Sequence, residues 1–234
     1  MAANQQTVLR KDGQLTLTSD KKGIEIYICD PDWFDEKKKY KVANSPNRNV
    51  AFEYGGTDLN FLARVLFAEA SGSAKLIEKN GRDAEKEAIL NVKFFRLGRT
   101  DYPDWRVKSK TFTDVCSAPG QFESVGPPPT SKFRDSTKSH VEKFDKKECS
   151  DFIESIDAIK RFLEAGPNAD YTYDNFRGGS GSRGTNIGKS RFWLSTTGAR
   201  LLADEVKDDE KKEKKAEEIK GNKSNISAAK QTKG

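Results

Sequence analysis

The sequence predicts a mostly helical α+β protein with a small β element in front and a charged tail behind. Three observations carry this. Apolar residues recur at three- and four-residue spacing in three segments of the middle of the chain. Strict alternation is confined to the first thirty residues or so and to a stretch between about 171 and 193. Large apolar side chains almost vanish after Ala203. The 234 residues suffice for one sizeable domain with appendages.

Residues 1–50 read as the β element. Thr7 to Arg10 and Gln14 to Thr18 flank Asp12-Gly13, a hairpin signal, and Ile24, Ile26 and Ile28 alternate as a third strand with one buried face. Lys37 to Asn49 is a polar connector. The main domain spans residues 57–200. Its first helix starts at Thr57 or Asp58, both good N-caps, and stops at Ser71-Gly72. Leu59, Leu62, Val65 and Leu66 form its apolar face. Glu69 follows Leu66, Val65 and Leu62 by three, four and seven residues, so an acid lies on or beside the buried stripe in the last turn. The C-terminal end of the helix dipole and desolvation both favour the protonated carboxyl there, the form a general acid needs. The competing reading is an ordinary edge glutamate reaching solvent.

The second helix is expected from about Asp83 to Gly98, with Ala84, Ala88, Val92 and Phe95 on one face and Gly98 as C-cap. A short helical turn at Thr113 to Cys116 leads into Pro119-Gly120-Gln121-Phe122-Glu123-Ser124-Val125, and Pro127-Pro128-Pro129 breaks the chain. Residues 130–147 are charged and read as a surface excursion. The third long helix, Ser150 to Ala165, puts Phe152, Ile156, Ile159 and Leu163 inward and ends at Gly166-Pro167. Tyr171 to Phe176 alternates as a strand, Gly178 to Gly184 is a glycine-rich connector, and Gly188 to Trp193 returns as the second strand of a hairpin. Gly188-Lys189-Ser190 lacks the spacing of a phosphate loop. The tail, 204–234, reads as a solvated helix followed by disorder.

Composition excludes several chemistries. The one histidine, His140, sits in a Lys-rich polar segment, which removes a Ser-His-Asp triad. No CxxC or HxxxH spacing occurs, so no metal site and no cofactor are expected. Cys29, Cys116 and Cys149 are no disulfide framework; Cys116 and Cys149 either pair in an oxidising space or stay buried thiols. No run of about 20 apolar residues predicts a membrane span. Residues 1–11 lack the apolar core of a signal peptide. Of the formal charge of +6, the tail's nine lysines and eight acids supply only +1, so the body itself is basic and suited to an anionic polymer. Its aromatics are interleaved with Gly and Asn rather than with a Lys/Arg stripe, which argues against nucleic acid.

Three blocks in order resemble the SleB-like cell-wall hydrolases, the spore-cortex-lytic family. They are Leu62-Ala63-Arg64-Val65-Leu66-Phe67-Ala68-Glu69-Ala70-Ser71-Gly72, then Ala88-Ile89-Leu90-Asn91-Val92, then Val115-Cys116 with Pro119 to Val125. The aromatic segment at 171–193 stands where the family has its final aromatic region, and the resemblance covers roughly 58–195. The chain departs from the family at single residues and in longer excursions at 74–83 and 126–148. Ser73 stands where a second acid usually follows the first block, Val92 where an arginine follows Leu-Asn, and Ser190 or Arg191 where a histidine precedes the last aromatic pair.

The resemblance implies a lysozyme-like, lytic-transglycosylase-like helical domain that cleaves the glycan of peptidoglycan between N-acetylmuramic acid and N-acetylglucosamine, leaving a 1,6-anhydro end. Glu69 is then the catalytic acid and base. Gln121, Ser124, Tyr173 and Asn175 are candidates to hold N-acetyl and hydroxyl groups, and Phe122, Phe176 and Trp193 to line or stack on sugar faces, with core packing as the alternative for each aromatic. A hydrolysing muramidase is expected instead if Glu123 or Asp174 faces Glu69 across the cleft. A basic glycan-binding module without activity is the third reading. A wall-cutting enzyme made in the cytoplasm without a leader needs a phage or secretion apparatus to reach the wall. A neutralising immunity protein is the other partner such an enzyme implies.

Overall fold

The computed structural model describes residues 33–43, 53–97, 110–136 and 144–200 with their side chains, the backbone of three strands between 6 and 29, and the isolated residues 211, 214 and 215. The chain falls into two compact units, 1–193 and 194–234. The first is a mixed α and β unit with small antiparallel sheets.

Strands β1 (Gln6–Lys11), β2 (Gln14–Ser19) and β3 (Glu25–Cys29) form an antiparallel meander, with Val8 opposite Leu17 and Thr16 opposite Tyr27. Lys11 pairs with Gln14 at the end of the first two strands, and the expected Asp12-Gly13 turn lies outside the described residues. A second, two-stranded sheet pairs β4 (Lys39–Lys41) with β5 (Glu53–Gly55) and leads directly into helix α1 (Gly56–Glu69).

Helix α1 buries Leu59, Leu62, Val65 and Leu66 completely, the stripe expected from its spacing. Each such side chain is worth about 1.5–3 kcal/mol on burial. The expected N-cap is not used: the cap position is Gly55, with no side-chain hydrogen bond. Asp58 instead turns outward and caps another helix, α3 (Phe112–Ser117). Its carboxylate accepts from Phe112 N at 3.0 Å and from Thr113 N at 2.8 Å. A capping box between Thr111 and Asp114 completes that N-terminus.

Helix α2 (Lys79–Arg96) starts four residues earlier than its apolar pattern implies and ends at Leu97; the expected Gly98 cap lies outside the described residues. It is buried nearly all round, enclosing Arg82, Glu85, Lys86, Lys93 and Arg96 along with Ala88, Ile89 and Val92. Within the stretch expected as a surface excursion lies a short helix, α4 (Ser131–Asp135), capped by Thr130. Helix α5 (Lys146–Ala165) begins at a capping box of Asp145 and Glu148 and ends at Gly166, whose φ of 81° suits glycine. Its Phe152 joins Phe67 and Phe144 in an aromatic cluster with ring centroids 5.4–6.1 Å apart.

The C-terminal aromatic segment is a three-stranded sheet rather than a hairpin. Strands β6 (Asn175–Gly178) and β7 (Thr185–Ile187) flank the central β8 (Ser190–Trp193). The first strand begins only at Asn175. Tyr171 sits in a turn closed by its N–H to Asn168 O, and its ring stacks on Tyr173.

Cys149 is disulfide-bonded and Cys116 is a free, buried thiol, so the two do not pair with each other. Burial pushes the Cys116 thiol up to about 12, as for an inert core residue. The described part of unit 194–234 includes a turn capped by Ser195, whose hydroxyl accepts from Gly198 N at 3.0 Å. The charged tail lies outside the described residues, apart from the exposed Lys211, Lys214 and Lys215. So does His140.

Candidate functional site

Glu69 is the last residue of α1, and Ala70 after it is already extended. Its side chain is half-buried. Ser124 N–H donates to Glu69 Oε1 at 3.1 Å, fixing the carboxyl's orientation. This one bond joins the two sequence blocks 62–72 and 119–125, which are 55 residues apart at the contact.

Glu69 opens into a cleft of about 790 Å³. Known small-molecule sites run from about 300 to 1,000 Å³. One wall is the end of α1 and the loop after it, with Ser71, Gly72 and Lys75. Lys132 from α4 and Asp151 from α5 contribute a second side. A further wall is the small sheet: Gly178 at the end of β6 with Gly179 and Ser180 after it, and Gly188 and Lys189 of the β7–β8 turn with Ser190 at the start of β8. The glycine-rich connector is therefore part of the cleft.

Two further carboxylates hold the loop that follows Glu69. Glu85, fully buried on α2, accepts from Ser71 N at 3.1 Å, Ser71 Oγ at 3.2 Å and Ser190 Oγ at 2.7 Å. Asp151 accepts from Ser73 N through both oxygens, at 2.9 and 3.0 Å. An acid thus stands beside Ser73 in space, where the resembled family has one in sequence. Close packing enforces both arrangements. A Cβ on Gly72 would come within 2.5 Å of Asp151 Oδ2, and one on Gly188, at φ 62°, within 2.8 Å of Glu85 Cβ.

Behind this lies a buried ionic knot. Glu154 receives Arg82 Nη2 at 2.6 Å, Arg82 Nε at 2.9 Å and Lys86 Nζ at 3.0 Å, while Arg82 Nη1 donates to Leu76 O and Ile77 O. Burial alone would raise the Glu154 carboxyl, but the hydrogen bonds from Arg82 and Lys86 carry it below its ordinary range. The knot ties α2 and the 76–77 loop to α5.

Lys93 is the odd cation. It is wholly buried, its Nζ stands 4.9 Å from the Phe122 ring centroid, and it has no hydrogen-bond partner among the described residues. Burial drives its ammonium down, against the opposing pull of Cys116 and Glu69. The hydroxyl of Ser124, beside Glu69, is likewise buried without a partner.

Of the binding residues expected from sequence, Ser124 meets Glu69, but through its backbone. The others do not line this cleft. Phe122 is buried beneath Lys93 and Arg96, whose guanidinium carbon is 5.5 Å from its ring. Phe176 stacks on Phe192 at 5.7 Å, and Tyr173 packs on Phe192 at 5.8 Å. Asn175 accepts from Arg96 Nη2 at 3.0 Å. Trp193 is half-buried between Arg183 and Arg191, and Gln121 is exposed. Neither Glu123, which is exposed, nor Asp174, which is buried and accepts from Asn175 Nδ2, faces Glu69 across the cleft. The acid that shares the cleft with Glu69 is Asp151, which the sequence reading missed along with Glu85 and Lys132. Asp151 directly precedes the inward Phe152, a weak signal; Glu85 and Lys132 gave none.

No helix among the described residues is long and apolar enough to cross a membrane. No family model, no curated protein and no solved structure matches this chain.

Proposed function

We propose that this protein cleaves the glycan strand of peptidoglycan at the bond between N-acetylmuramic acid and N-acetylglucosamine, with Glu69 as acid and then base, in a lysozyme-like domain. The observation that carries the reading is the placement of Glu69: a half-buried carboxyl, oriented by Ser124 N–H, opening into a cleft of about 790 Å³. The resemblance of two blocks to one family gains support because those blocks meet at this carboxyl.

In this reading Glu69 gives its proton to the glycosidic oxygen as the bond to C1 breaks and positive charge grows on the sugar. The 6-hydroxyl of the same sugar then attacks C1 and returns its proton to Glu69. The products are a 1,6-anhydro end and a free 4-hydroxyl, and no water is consumed. Proton transfer of this kind is typically worth about 10²–10⁴ in rate. Asp151 favours a second reading, since a carboxylate in the same cleft suits a hydrolytic route that consumes water. The disulfide at Cys149 supports action in an oxidising compartment such as the periplasm.

The test is mass spectrometry of purified peptidoglycan after digestion. Anhydro-muropeptides support the first reading. Products one water heavier, together with loss of activity in Asp151→Asn, establish the second. No cleavage by the folded protein overturns both and leaves a glycan-binding module.

A further inference from the structure

We infer that Lys132 is a carboxylate anchor: its ammonium group binds an acidic substituent of the saccharide held at Glu69 and so separates carboxylated glycans from uncharged ones. The inference rests on the glycan reading above.

Lys132 reaches the cleft from α4, and its Nζ donates to Ala70 O at 2.9 Å. Ala70 is the residue after Glu69, so the cation is held one residue from the proposed acid. The ammonium also lies 4.5 Å from the centroid of the Phe67 ring. A lysine has three N–H donors. One is spent on Ala70 O, and Lys132 has no ion-pair partner among the described residues.

The charged groups facing it come from three directions: Asp151 on α5, Glu85 and Lys86 on α2, and Lys75 in the loop after α1. Each polar group that faces it from α2 and α5 is engaged elsewhere. Asp151 holds Ser73 N, Glu85 holds Ser71 and Ser190, and Lys86 holds Glu154. Burial brings the Lys132 ammonium down to about 8, so it is charged at neutral pH yet poorly hydrated. Closing the end of α1 requires only one neutral donor. A desolvated cation with unused donors at a cleft wall suits an anion arriving from the cleft. Lys75 and Lys189 line the same cleft.

A carboxylate on the bound sugar answers this chemistry. It has two sources in peptidoglycan: the lactyl group of the muramic acid and the acids of the peptide stem. Chitin oligosaccharides share the N-acetylglucosamine units and have neither.

The experiment measures binding by full-length Glu69→Gln protein, which removes turnover, using calorimetry at pH 7. Four probes are compared at equal glycan length: fragments with stems, fragments stripped of stems so that the lactyl carboxylate is free, the same fragments with all carboxyls amidated, and chitin oligosaccharides. The expected result is binding of at least one carboxylated probe about tenfold tighter than its amidated form and than chitin. An advantage confined to stripped fragments identifies the lactyl group, one confined to fragments with stems identifies the stem acids, and one shared by both identifies a site that takes either carboxylate. The advantage falls below about threefold on adding Lys132→Gln, which keeps a donor for Ala70 O, and returns with Lys132→Arg. Equal binding of charged and amidated probes overturns the inference, and this comparison needs no change at Lys132. An undiminished advantage in Lys132→Gln, or no binding of any probe, also overturns it. Cleavage by wild-type protein is scored separately. Charge-selective binding without cleavage removes the glycosidase and leaves the anchor; cleavage without charge selectivity does the reverse.

Discussion

Helices α1 and α2 lie side by side in sequence and are both deeply buried, yet they are held by opposite means. α1 buries Leu59, Leu62, Val65 and Leu66 and keeps one acid, Glu69, for its exposed end. α2 buries Arg82, Glu85, Lys86, Lys93 and Arg96. In α1 the buried groups are apolar save Asn60, whose amide accepts from Phe34 N and donates to Phe34 O. In α2 each buried charge is costly unless a specific group meets it. α1 therefore presents the proposed acid, and α2 fixes the geometry around it.

The division makes its sharpest prediction at Glu69. Glu69→Gln is expected to cut the release of muropeptides by about 10²–10⁴-fold, with far-UV circular dichroism and the urea midpoint unchanged. A loss of structure in that variant would mean that the end of α1 supports the fold as much as α2 does.

Glu154→Ala is expected to act the other way, on stability first. It strands Arg82 and Lys86, and breaking a buried pair on one side costs about 3–5 kcal/mol. Urea unfolding measures this; a loss below about 1 kcal/mol would show the knot to be well solvated. A smaller effect is expected from Ser190→Ala, which takes one hydrogen bond from buried Glu85. The cost is about 1–3 kcal/mol by denaturation. If it exceeds that of Glu154→Ala, the anchor of the small sheet outweighs the ionic knot.

The smallest change is expected at Lys93, and its sign is reversed. Its ammonium is lowered from an ordinary value of 10.5 by burial, so the folded state binds its proton more weakly than the unfolded chain does. Folding bears that cost at pH values below the folded-state value, and the cost fades as pH rises toward 10.5. Lys93→Met is expected to raise the urea midpoint at pH 7 slightly, with the gap to wild type closing at high pH. A lower midpoint in the variant at pH 7 would show that Lys93 has a stabilising partner.

The same contrast explains what could be read from the sequence. Apolar spacing exposes α1 and α5, because a stripe of leucines or isoleucines is a local pattern. Local residue chemistry also marks Gly166 and the pairing of β1 with β2. Glu69 stands out because an acid interrupts such a stripe. The charged interior of α2 leaves no comparable trace. Glu154 meets Arg82 from 72 residues away, Ser190 meets Glu85 from 105, and Asp151 meets Ser73 from 78. Asp58 fails as an expected cap for its own helix because α3, 54 residues on, offers it two N–H groups. Lys132 is hidden in a segment whose charge reads as plain solvation. Phe122 and Phe176, expected to grip sugar, are used in core packing, and Trp193 lies between two arginines, choices that composition alone leaves open.

The attachment of the small sheet has a consequence for how such a protein can change over generations. Gly188 and Ser190 press the β7–β8 turn onto Glu85, and those two positions admit little variation. Ser180, between β6 and β7, also lines the cleft but lies outside that attachment and is exposed. Exchanges at Ser180 itself can reshape one bank of the cleft while the acid at the end of α1 keeps its setting. Under the proposed reading, substrate preference and proton transfer can thus be inherited and altered separately, the first through a glycine-rich loop and the second through the end of a leucine-packed helix.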